Sequence, residues 1–554
     1  MLCSKRAAHP TLLLAAALAS LVGSAEHVSA LLPPLERLAT VEEMAVRDAA
    51  VSSLGEVALA MSGSALREHC LPMVGRLSQR DWFTARISAA GLVPTVYPRV
   101  SDEQKEELQT MFSTLARDLT PMVRRAASAH FAQLAAVVEP AHLQGMMLPL
   151  AQQLARDDQD SIRLLAIDNC VALANAWHKA SGAEGASQPS TAAADDTLLH
   201  ETLDVVKQLA SDSSWRVRWS VASHASEAVT ALGPALAAQA LAEPFAALCS
   251  DKEAEVRTAA AGQVAAMAKH LGADSTVQHL MPGVKSLSED SNDAVRAALA
   301  KGVMVTAHTL GQDSTVKYLL PIFLTLLRDS ESQVRLNIIG TLDDVNAVIG
   351  VALLRESLLP SIMDLSEDRQ WRVRLAVIKF MPLLAAQLGQ EVFDAELTSL
   401  VVRWLSDEVS SIRECAVGCL PLLVNEFGQE WVTSAVKPAL EKLQGAQSYM
   451  MRMVAVRAAA AVGAVASAEI LSSDLLPLLC NLAGDKVPNV RFNAAKALHA
   501  LHESIPLAAA QSTVLPLLRS LEEDADSDVK HFAQEALQAF EVGSSEGKNA
   551  EEHK

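Results

Sequence analysis

The chain has 554 residues, half of them hydrophobic and only 4% aromatic, with seven cysteines and a formal net charge of −19. That acidity excludes nucleic acid as the main partner. The cysteines (3, 70, 170, 249, 415, 419 and 480) form no disulfide framework of a secreted domain, and the chain carries no Asn-X-Ser/Thr sequon.

Residues 5–25 read two ways. Lys5 and Arg6 ahead of TLLLAAALASLVG imitate a secretory signal. The same run falls where the second helix of a preceding repeat belongs, since counting back 39 from Arg47 reaches Ala8. The register favours the second reading, so residues 1–30 are expected to be a partial repeat and the signal is disfavoured.

From there a unit recurs with a 39-residue period. Its marker is a basic residue at Arg47, Arg86, Arg125, Arg163, Arg218, Arg257, Arg296, Arg335, Arg374, Arg413, Arg452, Arg491 and Lys530. A proline stands fourteen places before the marker in most copies (Pro33, Pro72, Pro149, Pro282, Pro321, Pro360, Pro438, Pro477, Pro516). An acid precedes it by six (Asp212, Asp251, Asp290, Asp329, Asp368, Asp407, Asp485, Asp524). The unit therefore reads as Leu-Pro, an apolar helical stripe, Asp, a short turn, Val-Arg and a second apolar helix. Proline suits a first helical turn or a bend, and the Asp suits a turn and the cap of the next helix. The arginine lies near the start of the second helix, where a cation opposes the helix dipole, so it needs an acid nearby. A turn Asp of its own or a neighbouring repeat supplies one, making a ladder of charge pairs along one edge, each worth no more than about 1 kcal/mol if exposed.

Two helices per repeat of about 40 residues define the HEAT class. The expected fold is all-α, a HEAT-repeat α-solenoid: a right-handed superhelical horseshoe of antiparallel helix pairs. About thirteen repeats fill residues 31–541, and stability comes mostly from apolar faces buried between neighbours. The Gly-, Ser-, Ala- and Pro-rich stretch at 178–196 is expected to be a flexible insertion, and 542–554 a disordered polar tail. Beyond 5–25, apolar runs are broken by charge at the repeat period, so no other segment is expected to span a membrane.

The chain carries no Walker loop, no G-x-G-x-x-G after a strand, no H-E-x-x-H and no G-x-S-x-G. Its acids recur at the repeat period, a structural signature, and Cys415 and Cys419 read as buried thiols rather than a metal pair. No enzyme, metal or cofactor is expected. Large residues instead gather at the turns between paired helices: Trp82 and Phe83 in DWFTAR, Trp215 in SSWRVRW, Trp371 in RQWRVRL, and Tyr449 with Met450 in AQSYMMRM. Aromatics repeated at one outward-facing position favour a protein-binding ridge over turn padding.

These turns carry a family resemblance. The segments LLPPLERLATVEE, DWFTAR, YPRVS, TPMVRRAA, QDSIRLLA, SWRVRW, AEVRTAAA, VRLNIIGTLDDVNAVIG, WRVRLAVIKFMPLLAAQLGQEVFDAEL, NVRFNAAKAL and DVKHFAQEAL occur in order from about residue 20 to 541. Together they closely resemble the scaffold (A, or structural) subunit of the type 2A serine/threonine protein phosphatase.

The resemblance implies a non-catalytic scaffold in a hetero-trimer, cytoplasmic or also nuclear. The phosphatase catalytic subunit would sit on the last five repeats, those of Arg374, Arg413, Arg452, Arg491 and Lys530, and an exchangeable B-type regulatory subunit on earlier ones. It matches Trp371, Arg372, Tyr449, Arg452 and Val487 to catalytic-subunit contacts. It matches Trp82, Pro121, Arg124, Arg125, Trp215 and Arg216 to regulatory-subunit contacts. The sequence departs from the family at several places. The family's first repeat and the first helix of its second are missing, Ser410 replaces a usual aromatic, Leu119 replaces an acid, and 178–196 is inserted. An alternative is another HEAT adaptor, such as a nuclear-transport or cargo-binding solenoid, which the regular register disfavours.

Overall fold

A computed structural model describes residues 28–181, 197–350 and 354–551. The signal-like stretch at 5–25, and residues 182–196 of the insertion expected at 178–196, lie outside the described residues, whereas 178–180 end the helix Ala166–Ala180 instead of joining a flexible loop. Among the described residues every regular element is helical. The chain forms two compact units, Met1–Leu319 and Leu320–Lys554.

Each unit is a row of helix pairs. In the first, Leu71–Ser78 pairs with Phe83–Val96, Asp102–Leu115 with Pro121–Ala135, and Thr197–Ala210 with Trp215–Leu232. In the second, Leu359–Leu365 pairs with Trp371–Glu396, Lys437–Gln444 with Tyr449–Gly463, and Leu476–Ala483 with Pro488–Ala500. Second helices of successive repeats stack: Trp215–Leu232 on Ala254–Ser275 in the first unit, Trp371–Glu396 on Ser410–Phe427 in the second. The buried side chains between them are mainly Leu, Val and Ala, exemplified by Val217, Ala222, Val229 and Leu232. Small residues let the helices approach closely, and burial of their apolar area supplies the stabilisation.

The recurrent Leu-Pro marks a bend inside the first helix. A single wide five-residue turn precedes it, as in Leu66–Cys70 before Leu71–Ser78 and Leu471–Leu475 before Leu476–Ala483. Proline removes one N–H and crowds the carbonyl a turn back, and a π-type turn relieves the crowding without ending the helix.

A second period escaped the sequence reading. Gly233, Gly272, Gly311, Gly350, Gly389 and Gly428 recur at the spacing of the repeat, and all have positive φ, between 73° and 92°. With ψ near 176° at Gly272 and Gly311, this is a region that residues with a Cβ avoid. These glycines end one repeat's second helix and start the next repeat's first. Helix Trp371–Glu396 has the length and apolar composition of a membrane span. It is nevertheless broken at Gly389, and Val373, Val377, Ile378, Met381 and Leu384 are buried within the unit. The last helix runs Ser527–Glu551, so the backbone is helical where composition led us to expect a disordered tail from 542.

Candidate protein-binding ridge

Most of the turns are built by one arginine and one aspartate. Arg218 donates from Nη1 to the Asp212 and Ser213 carbonyls at 2.8 and 3.2 Å, closing its own turn. Its Nε and Nη2 donate to both oxygens of Asp251, 33 residues on, at 2.6 and 2.9 Å. Asp251 in turn accepts the Glu253 N–H at 2.9 Å, an Asx turn that starts the next second helix. The same rung recurs as Arg86–Asp118, Arg163–Asp212, Arg257–Asp290, Arg335–Asp368, Arg374–Asp407, Arg452–Asp485 and Arg491–Asp524. The guanidinium, placed against the dipole of its own helix, serves the carbonyls closing the preceding helix. Of the two acids expected for it, the one it pairs with belongs to the following repeat. The side chains are mostly covered, so breaking a pair strands a charge and costs more than breaking an exposed one.

The register also shifts once. Arg124, not Arg125, is the rung: it grips Asp157 at 2.6 and 2.9 Å and closes on the Asp118 carbonyl at 2.9 Å. Arg125 is exposed. The acid of this turn is Asp118, next to Leu119, which accepts the Thr120 N–H and both Arg86 donors. Burial pushes the Asp118 carboxyl up, but the Arg86 hydrogen bonds and charge outweigh this and hold it below the ordinary aspartate value.

In the first unit this frame displays Trp82, 55% exposed, at the turn before Phe83–Val96. Pro121 opens helix Pro121–Ala135, flanked by Leu119 (97% exposed) and exposed Met122. Trp215 opens Trp215–Leu232 and lies under the Arg216 guanidinium at 5.5 Å, which also reaches Asp160 at 3.5 Å. Leu119, Met122 and Trp219 were not anticipated as surface anchors. Trp219 could have been, because Trp215 and Trp219 are four apart and share one helix face.

In the second unit Trp371 is half-buried and opens Trp371–Glu396, with exposed Arg372 stacked on it at 4.9 Å. Tyr449, 42% exposed, opens Tyr449–Gly463 beside exposed Met450. Val487, half-buried, precedes Pro488–Ala500, its N–H held by Asp485 at 2.8 Å. Arg452 is only 6% exposed and bound at 2.5 and 3.0 Å to Asp485. Arg452 and Arg124 are thus internal struts that fix the turns, while Trp82, Trp215, Arg125, Arg216, Arg372 and Tyr449 offer surface.

The six cysteines described are free thiols. Burial alone, or burial chiefly, pushes Cys170, Cys249 and Cys419 up to about 12. A hollow of about 750 Å³ lies between the first helices Leu71–Ser78 and Asp102–Leu115 rather than at the second-helix starts.

Paired helices, bent at Leu-Pro and laced by Arg–Asp rungs, make this chain a HEAT-repeat α-solenoid protein. A family model for HEAT repeats matches residues 436–538, and one described as PPP2R1A-like HEAT repeat matches 234–311. In sequence the chain is similar to 65 kDa, or A-type, regulatory subunits of protein phosphatase PP2A. It is 51% identical to the probable PP2A regulatory subunit of Caenorhabditis elegans over 162 residues, 29% of this chain and 27% of that one. It is 39% identical to the A-type PP2A regulatory subunit of Schizosaccharomyces pombe over 216 residues, 39% of this chain and 34% of that one. It is 49% identical to the rat A beta isoform over 119 residues, 22% and 20% of the two chains. The matched stretches thus span about a third or less of these relatives. Among solved structures, the karyopherin Kap121p bound to the extreme C-terminus of the protein phosphatase Cdc14p aligns with TM-score 0.61 at 14% identity. That alignment covers 92% of this chain and 54% of Kap121p, a likeness of fold.

Proposed function

We propose that the chain is a non-catalytic scaffold of a type 2A serine/threonine phosphatase. It holds the catalytic subunit on the repeats of Arg374, Arg413, Arg452, Arg491 and Lys530, and an exchangeable B-type regulatory subunit on earlier repeats, in the cytoplasm or nucleus. The observation that carries this reading is the set of exposed or half-buried aromatic and arginine side chains at the turns of several repeats, in a chain whose relatives are named as PP2A regulatory subunits. Holding two subunits on one frame makes substrate presentation effectively intramolecular, raising local concentration without any chemistry by the scaffold. Rung residues Arg124 and Arg452 keep the turns in place, while Trp82, Pro121, Arg125, Trp215 and Arg216 meet the regulatory subunit. Trp371, Arg372, Tyr449 and Val487 meet the catalytic subunit.

The test is calorimetric titration of the purified chain with the type 2A catalytic subunit, beside Trp371→Ala. One-to-one binding that weakens by about tenfold or more in a normally folded variant supports the proposal. Absence of binding by the well-folded chain overturns it.

A further inference from the structure

The ladder of rungs is broken at Arg413. Most intact rungs place an aspartate 33 residues after the arginine, as at Arg374–Asp407 and Arg452–Asp485. After Arg413 that position is Ala446, and its place in the turn is confirmed by Arg452, whose Nη1 donates to the Ala446 carbonyl at 2.9 Å. Arg413 keeps the bonds that close its own turn, from Nη1 to the Asp407 and Glu408 carbonyls at 2.6 and 2.9 Å. The Nε–Nη2 edge, which grips a carboxylate in the intact rungs, is left without one.

The space is open. A hollow of about 290 Å³ lies there, lined by Ser410, Arg413, Tyr449, Met450, Met453 and Arg457 among others. Ser410 supplies only a hydroxymethyl at its mouth. Glu414 also lines the hollow, but it is engaged by Arg457 at 3.5 Å and approached by the Ser410 hydroxyl at 3.4 Å. Two guanidiniums and one carboxylate therefore face the hollow, leaving it net positive. The other broken rung differs. After Arg47 the aspartate position is Arg80, whose carbonyl accepts from Arg86 at 2.7 Å. There the space holds a second cation, with Glu36 nearby, 3.9 Å from Arg80 and bound to Arg76 at 2.6 Å.

We propose that Arg413 takes its missing carboxylate in trans, from an acidic side chain of the docked catalytic subunit. An apolar neighbour of that acid would seat against Tyr449 and Met450. The fork of a guanidinium matches a carboxylate bidentately, and this fork is already held by its two carbonyl bonds, so little side-chain freedom is lost on pairing. The inference rests on the scaffold reading above and adds the chemistry of one contact within it.

Two variants test it, each titrated calorimetrically with the type 2A catalytic subunit and melted alone. Ala446→Asp restores the rung in cis, so it is expected to raise the melting temperature while weakening binding about tenfold. Arg413→Gln removes the receptor for the carboxylate and is expected to weaken binding comparably, with the double variant no weaker than either single one. Wild-type affinity in both variants, with the parent chain binding, overturns this inference and leaves the scaffold role standing. No binding by the parent chain overturns both.

Discussion

Arg218 and Asp251, 33 residues apart, are joined by two parallel hydrogen bonds of 2.6 and 2.9 Å, and the same arginine closes its own turn through the Asp212 carbonyl at 2.8 Å. One side chain thus couples two repeats and shapes both turns. Because the pair is mostly covered, removing one member strands the other's charge. Asp251→Ala is expected to cost about 2–3 kcal/mol, the scale of charge-assisted hydrogen bonds lost from a part-buried site. Urea denaturation checks this; a change below about 0.5 kcal/mol would place the rung with exposed pairs.

The positive-φ glycines give a sharper contrast. Gly389→Ala places a Cβ at φ 73°, where there is room around the atom but the backbone is unfavourable. A loss of about 1–3 kcal/mol is expected. Gly418 lies inside helix Ser410–Phe427 with open space around its Cβ, so Gly418→Ala should be neutral or stabilising by up to about 1 kcal/mol. Paired melting curves decide between them.

Acid should loosen the first unit through Glu139. Its carboxylate accepts from Lys105 at 2.5 Å and from the buried Tyr97 hydroxyl at 2.6 Å, while Gln109 donates to that hydroxyl at 2.7 Å. Burial raises the Glu139 pKa, but the hydrogen bonds from Lys105 and Tyr97 outweigh it and bring it to about 2, against an ordinary 4.5. A depressed folded-state value means that the stabilisation is complete above pH 4.5 and is lost as the pH falls toward about 2. Glu139→Gln should therefore lower stability at neutral pH and flatten the acid limb in that window. A parallel shift of the whole curve would contradict this.

Thiol chemistry should follow burial. Cys170, Cys249 and Cys419, buried and pushed up to about 12, are expected to react with a disulfide reagent at pH 8 only as fast as the chain opens. Cys415, half-buried, should be modified before Cys419. Mass-mapped labelling against time measures the order, and rapid labelling of Cys249 in the folded chain would contradict it.

Arg125 is exposed, whereas Arg124 is committed to Asp157. Arg125→Trp is expected to leave the melting temperature within about 1 °C, since exposed positions away from such features tolerate change. It should weaken regulatory-subunit binding selectively. Arg124→Trp should destabilise the fold and lower every interaction together. Parallel titrations with each subunit separate the two; equal loss of both partners from Arg125→Trp contradicts the division of labour.

The repeat period, the Leu-Pro, the Asp six before the Arg and the apolar stripes were legible without coordinates, because each is a local requirement of one helix pair. The glycine period was legible too, at Gly233 through Gly428, but its meaning lies in a backbone dihedral that the bare letters do not state. The pairing of the ladder was decided only by tertiary structure. Whether Arg218 meets Asp212 or Asp251, and whether Arg124 or Arg125 occupies the rung, depends on how one repeat's turn lies over the next. The same stacking buries Trp404 and Trp431 while exposing Trp82 and Trp219. Sequence thus determined the repeat, since helix periodicity and turn chemistry act within one unit. Tertiary structure decided which charges meet and which side chains face outward, since those depend on how each repeat stacks on its neighbours.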